Sequence, residues 1–160
     1  LPDILHDAII FKRQDGQHYI ELLGFSLDEG ARLVPLKEAC TQRRMEIYGD
    51  SVTCGERNEA LLYAGKEDPD VDLSPYSNSW FSYGAIAARH LHAQLHAVSQ
   101  GGVGLLDGIG WFNEPQYLGM ESIWDRVRYN PQLGPSSVWD FERYDPQIVI
   151  VALGQNDSHP

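Results

Sequence analysis

The longest apolar run, IVIVAL over Ile148 to Leu153, is a continuous β-branched stretch and predicts a parallel strand buried on both faces. Two shorter runs predict strands as well: Met45 to Tyr48, and Ala97 to Gln100, which leads into the glycine turn GGVG. Between them Trp80, Tyr83, Ala87, Leu91 and Leu95 recur at helical spacing. That periodicity predicts a helix over Trp80 to Ala97, capped by Asn78 or Ser79, with a polar opposite face. Strand, helix, strand, long connection, strand predicts a three-layer α/β domain around a parallel sheet. Upstream, HYIELLGFSLDEGARLVPLK alternates partly around a Gly and Asp/Glu turn, so a β-hairpin is predicted within Gln17 to Lys37. The polar stretch EACTQRR at 38–44 separates these two patterns and sets a domain boundary. Glu56 to Asp72, with Pro69 and several acidic residues, reads as loop.

Composition narrows the class. At 160 residues, with 42% hydrophobic and 22% charged positions free of low-complexity blocks, the chain can bury one real core and hold part of a second domain. No apolar run approaches the roughly 20 residues needed to span a bilayer, so membrane insertion is not expected. LPDILHDAII lacks the basic start and long apolar stretch of a signal peptide. A net charge of -11 opposes nucleic-acid binding, which needs Lys and Arg against phosphates, and the pair Arg43, Arg44 is too short to reverse it. Cys40 and Cys54 form one pair at most and belong to no CxxC, which leaves zinc without a thiolate framework.

Three short segments follow the predicted strands: Gly49-Asp50-Ser51, the turn at Gly102, and Gly154-Gln155-Asn156-Asp157. In an open parallel sheet, ligands bind beyond the carboxyl ends of the strands, so these segments can meet in one crevice. Acyl transfer needs a hydroxyl nucleophile and donors facing the oxyanion that forms on the attacked carbonyl. Ser51 offers the hydroxyl. The Ser51 N–H, the Gly102 N–H, unobstructed by a Cβ, and the Asn156 side-chain amide complete a predicted oxyanion hole.

In order and spacing, GDSV at 49–52, the Gly102 turn and GQND at 154–157 resemble the first three blocks of the SGNH or GDSL hydrolases, a superfamily of esterases and lipases. Within it, EIYGDSVTCGE, NSWFSYGAIAARHL and VIVALGQND resemble carbohydrate esterase family two, deacetylases of acetylated plant polysaccharides. The resemblance implies a three-layer α/β/α, flavodoxin-like hydrolase domain over 45–160, preceded by the end of a β-sandwich (jelly-roll) domain over 1–40. It implies an acetylated carbohydrate or other small acyl ester as substrate, with no metal or organic cofactor. A polysaccharide substrate would in turn imply export.

A serine hydroxyl becomes a good nucleophile when a base takes its proton, and in this superfamily the base is a histidine in a downstream DxxH block. The expectation is that the chain is a piece of a longer protein whose base lies beyond residue 160. His159 is the rival, in NDSHP, where Asn156 would have to serve both as oxyanion donor and as orienting partner. Two further readings of the whole chain stand beside the acetylesterase: a lipase or thioesterase on the same fold, and a carbohydrate-binding relative without catalysis.

Plainer readings cover the remaining candidates. Gly, Asp and Ser are favoured in ordinary turns, and only their combination with GQND after a buried strand lifts Ser51 above that background. Asp50 adjoins Ser51, but neighbouring side chains point apart, so its predicted role is structural, as is that of Gly49 and Gly154. Asp157 is expected to hold its loop by local hydrogen bonds. Gly101 and Gly104 compete with Gly102 in the same turn. His92 and His96 sit four apart on the predicted helix, yet no carboxylate completes a metal site and a solvated face explains them. Cys54 reads as a buried, inert thiol. Trp111, Trp124 and Trp139 lie among Pro, Gly and Asn, where either a sugar cleft or core packing accounts for them.

Overall fold

The computed structural model describes residues 4–16, 18–34 and 42–159. Its centre is a parallel sheet of β1 (Arg43–Gly49), β2 (Ala93–Ser99) and β3 (Ile148–Ala152), in the order β2-β1-β3. The central strand is longer at its start than the predicted Met45 to Tyr48, because Arg43 and Arg44 also pair, with Ala93 and Gln94. Alternation places Met45 and Ile47 against α2 (Tyr83–His90), in a cluster with Ala88, Leu95 and Ile150. Tyr48 points the other way, into Val98, Val103, Phe112 and the short helix α3 (Met120–Ile123). A strand buried on both faces by these two layers is the rigid member from which the site is hung.

Glu46 shares the Tyr48 face and is buried. Its carboxyl is hydrogen-bonded to His96, its register partner on β2, at 2.8 Å between Nδ1 and Oε1. The rings of Trp139 and Tyr144 flank that imidazole.

Three expectations are corrected. The predicted helix over Trp80 to Ala97 is a 3-10 turn at Ser79–Phe81 capped by Asn78, then α2 capped by Ser82, then β2. Leu91 and Leu95 fit a helical period, but Ala93, Leu95 and Ala97 equally fit a period of two, and pairing with β1 decides between them. His92 therefore occupies a left-handed turn (φ 50) and His96 a strand, not one helix face. The hairpin is replaced, over the described residues 18–34, by an irregular chain with exposed apolar side chains and a turn closed by Ala31 N–H to Asp28 C=O at 3.0 Å. A two-stranded ribbon needs a further layer against its apolar face, and none of the described elements covers one here. Gln17 and 35–37 lie outside the described residues. Lastly, β3 is an edge strand on which Val149 and Val151 are exposed, not a strand covered on both faces. A β-branched run reports strand propensity and burial together, and cannot separate them.

Close packing of α2 on β1 rests on Gly84, where a Cβ would stand 2.5 Å from Ile47 Cδ1. Ala at this helical site gains about 1 kcal/mol of propensity, but overpacking beside a fully buried Ile47 costs roughly 1–3 kcal/mol. Gly84→Ala is thus expected to lower stability by about 1 kcal/mol in urea unfolding; a stabilised variant would show that the layer can open freely.

Candidate active site

The parallel register brings the carboxyl ends of the strands level: Gly49 is opposite Ser99 on one side and Ala152 on the other. The segments that follow the strands are therefore neighbours in space although about fifty residues apart in sequence.

The first segment turns sharply. At Gly49 a Cβ would lie 1.9 Å from Thr53 Oγ1, so only glycine lets β1 run so close under α1 (Ser51–Cys54). Asp50 caps α1, its Oδ1 accepting from Val52 N–H at 3.1 Å. The side chain is 0% exposed and Oδ2 has no hydrogen-bond partner among the described residues. Burial, and secondarily the charge of Asp157, push its carboxyl above the usual value of 3.8, against the opposing pull of the Val52 N–H. A carboxyl whose folded value is raised is favoured in the fold while protonated, and that contribution fades as pH rises through the folded value. Stability measured against Asp50→Asn should therefore shift in favour of the variant between pH 3 and pH 7, and a pH-independent difference would contradict the burial argument.

In the second segment, Gly102 has φ +75 and its absent Cβ would stand 2.8 Å from Trp111 Cβ. Its carbonyl accepts from the N–H groups of Trp111 (2.7 Å) and Phe112 (3.2 Å). The third segment is bonded onto the second: Asn156 Nδ2 donates to Val103 C=O at 3.0 Å, and Asp157 Oδ1 accepts from Leu105 N–H at 2.9 Å. Asp157 thus ties two distant segments together, a longer reach than the local bonds expected of it. Among the described residues, no hydrogen bond uses the N–H of Ser51 or of Gly102, and one of the two amide hydrogens of Asn156 remains unspent.

Ser51, Gly102 and Asn156 line one open cavity of about 850 Å³. Its wall also carries Gln14, Asp15, His18, Glu56, Arg57 and Trp111. Arg57 is held by Asp68 at 2.9 Å and Glu56 at 3.5 Å, so the wall is polar and its fixed charge predominantly acidic. Trp111 is 58% exposed, whereas Trp124 packs against Tyr48 and Phe141, and Trp139 against His96; of the three tryptophans only Trp111 faces the cleft. Cys54 is buried, and burial pushes its thiol up to about 12, in keeping with an inert side chain. His159 is not among the lining residues. Its ring stacks parallel to Trp111, its carbonyl accepts from Gly110 N–H, and its own N–H donates to Asn156 C=O at 3.1 Å. Among the described residues no group of three or more His, Cys, Asp or Glu is placed to hold a metal ion, and no helix is long and apolar enough to cross a membrane.

No protein-family model matches the chain. Cellulase/esterase CelE of Acetivibrio thermocellus is 33% identical over 95% of this chain and 17% of its own length. The acetylxylan esterase / glucomannan deacetylase of Cellvibrio japonicus is likewise 33% identical, over 97% of this chain and 40% of its own. Among solved structures, a family two carbohydrate esterase from Clostridium thermocellum in complex with cellohexaose superimposes with a TM-score of 0.63 at 33% identity, covering 84% of this chain and 37% of that one. The solved structures from Cellvibrio japonicus and Clostridium thermocellum that this chain resembles are family two carbohydrate esterases. The resemblance read from the three blocks is therefore shared by whole-chain sequence and by fold, while the chain spans less than half the length of these relatives.

The cavity-wall residues that sequence reading missed are Asp15, His18 and Gln100. Asp15 and His18 lie in the stretch assigned to the preceding domain, yet they enter the cavity wall beside Ser51. Gln100 was read only as the end of a strand, although it is 1% exposed and hydrogen-bonded to Asp15. Its buried polar side chain leaves no periodic signal in the sequence.

Proposed function

We propose that this chain forms the hydrolytic centre of a serine esterase that removes acetyl groups from carbohydrates. The observation that carries this reading is the meeting of Ser51, Gly102 and Asn156 at one cavity beyond the carboxyl ends of three adjacent parallel strands. Ser51 Oγ attacks the ester carbonyl while a base removes its proton. The oxygen that gains the electron pair is met by the N–H groups of Ser51 and Gly102 and the free amide hydrogen of Asn156. Collapse expels the sugar oxygen, which takes the proton back from the base and leaves an acetyl group on Ser51. Water, activated by the same base, then releases acetate.

The base is a histidine, in a DxxH block beyond residue 160 as the superfamily resemblance implies, with His159 as the alternative. In the same reading, residues 45–160 are a three-layer SGNH hydrolase domain and residues 1–40 the end of a jelly-roll domain. The carbohydrate is supported by the relatives: one is named an acetylxylan esterase / glucomannan deacetylase, and another was solved with cellohexaose. The polar wall favours sugar hydroxyls and a short acyl group over a long apolar chain, which would need an apolar channel.

The test uses the full gene product with acetylated xylan and with p-nitrophenyl esters of increasing acyl length. Acetate release from the xylan, and a fall in kcat/KM from acetyl to longer esters, are expected. Preference for long acyl chains would favour a lipase or thioesterase, and binding of xylan without acetate release would favour the non-catalytic relative.

A further inference from the structure

The segment before the sheet is stitched across the mouth of the site. Ser79 N–H donates to Arg13 C=O at 2.9 Å, Gln14 Nε2 to Ser74 C=O at 3.3 Å, and Phe11 packs on Trp80. Gly16 lies so close to the Tyr129 ring that a Cβ there would stand 2.0 Å from Tyr129 Cε2. Tyr129 itself donates through its hydroxyl to Ser99 C=O at 2.6 Å, at the end of β2. Between these anchors Asp15 reaches into the second segment. Its Oδ2 accepts from Gln100 Nε2 at 2.9 Å and from Gly101 N–H at 3.3 Å, and its Oδ1 meets His18 Nδ1 at 2.9 Å. The carboxylate is only 16% exposed.

Gly101 precedes the Gly102 N–H, and the carbonyl of the peptide between them accepts from Gln100 Nε2 at 3.1 Å, the same amide nitrogen that donates to Asp15. Backbone bonds define the rest of the turn: Gln100 N–H to Gly49 C=O at 3.1 Å, Val103 N–H to Gln100 C=O at 3.3 Å, and the Trp111 and Phe112 N–H groups to Gly102 C=O. All of these act on the flanks of the turn or on the carbonyl side of Gly102. On the amino side Asp15 accepts from Gly101 N–H and fixes the Gln100 amide that in turn holds Gly101 C=O. Two glycines in succession leave the peptide many conformations, and a charge-assisted acceptor from outside the turn removes that freedom.

Resting on the reading of Gly102 as an oxyanion donor, we propose that Asp15 is a positioning residue of this esterase. It sets the Gln100-Gly101-Gly102 turn so that the Gly102 N–H is aimed before substrate arrives. The segment ahead of the hydrolase unit is by this account part of the catalytic apparatus, although Asp15 touches no reacting atom.

Asp15→Ala in the full gene product is expected to lower kcat for p-nitrophenyl acetate roughly 10- to 100-fold while KM changes less than about threefold, the signature of a misaimed transition-state contact. Asp15→Asn, which keeps an acceptor oxygen, should recover most of that loss. Amide exchange at Gly101 is expected to be slow in the parent protein, to accelerate in Asp15→Ala and to be largely restored in Asp15→Asn. Where Asp15→Ala fails to fold, Gln100→Glu, which opposes two carboxylates at the same turn, should give the same fall in kcat and the same exchange at Gly101. An unchanged kcat in a folded Asp15→Ala protein, or Gly101 exchange that ignores Asp15, overturns the proposal. Ser51→Ala run alongside separates the two ideas: activity retained there removes the esterase reading, while the Gly101 exchange still decides whether Asp15 holds the turn.

Discussion

Ser51→Ala is expected to lower kcat on an acetyl ester by roughly 10⁴- to 10⁶-fold, the range found where a single nucleophile is removed from a catalytic unit. The fold should survive, because the hydroxyl carries none of the local structure. Asp50, not Ser51, caps α1, and no hydrogen bond among the described residues involves Ser51 Oγ. Surface-level substitutions of this kind change stability by about 0.5 kcal/mol or less. What remains after the substitution is substrate binding and the N–H groups around the cavity, so KM should move little. The measurement is steady-state turnover beside a urea melt of the same preparation. Retention of more than about 1% of turnover would remove Ser51 from the chemistry; the magnitude argument leaves no room for a supporting role of that size.

The second large effect is expected at Asn156. Removing one preorganised oxyanion donor costs about 10²- to 10³-fold in kcat, or about 3–4 kcal/mol of transition-state stabilisation. Asn156→Ala also loses the 3.0 Å bond to Val103 C=O, so a fall of about 1 kcal/mol in stability should accompany it. Asn156→Asp separates the two contributions. Its carboxylate keeps the shape of the side chain, but sets a negative charge against both the Val103 carbonyl and the developing oxyanion, and should be at least as damaging to kcat as alanine. If either variant raised KM and left kcat alone, Asn156 would be a ground-state contact with the sugar and not an oxyanion donor.

Local chemistry was readable where the backbone itself makes the demand. Gly49 and Gly102 mark places where a side chain cannot fit, and Asp50 is one of the few short polar side chains that cap a helix start, so these positions declare themselves in a short string. Strand existence was equally plain at β1 and β3, since β-branched and apolar runs favour extended chain whatever lies beyond them. The helix over Trp80 to Ala97 failed for a definite reason. Leu95 serves both periodicities, and the energy that resolved them, seven paired positions between β1 and β2, is absent from any local window.

The pattern of apolar runs and helical spacing predicted by itself the parallel α/β plan, and the order and spacing of GDS, Gly102 and GQND the kind of chemistry to look for. A turn motif is a local steric statement and survives without its partners. Only the tertiary structure decided that the cavity wall would draw Asp15 and His18 from the segment ahead of the sheet, that Asp157 would bind Leu105, and that β3 would stand at an edge. Those outcomes depend on contacts between residues some fifty to ninety positions apart, where pairing geometry, not the preference of any single residue, sets the energy.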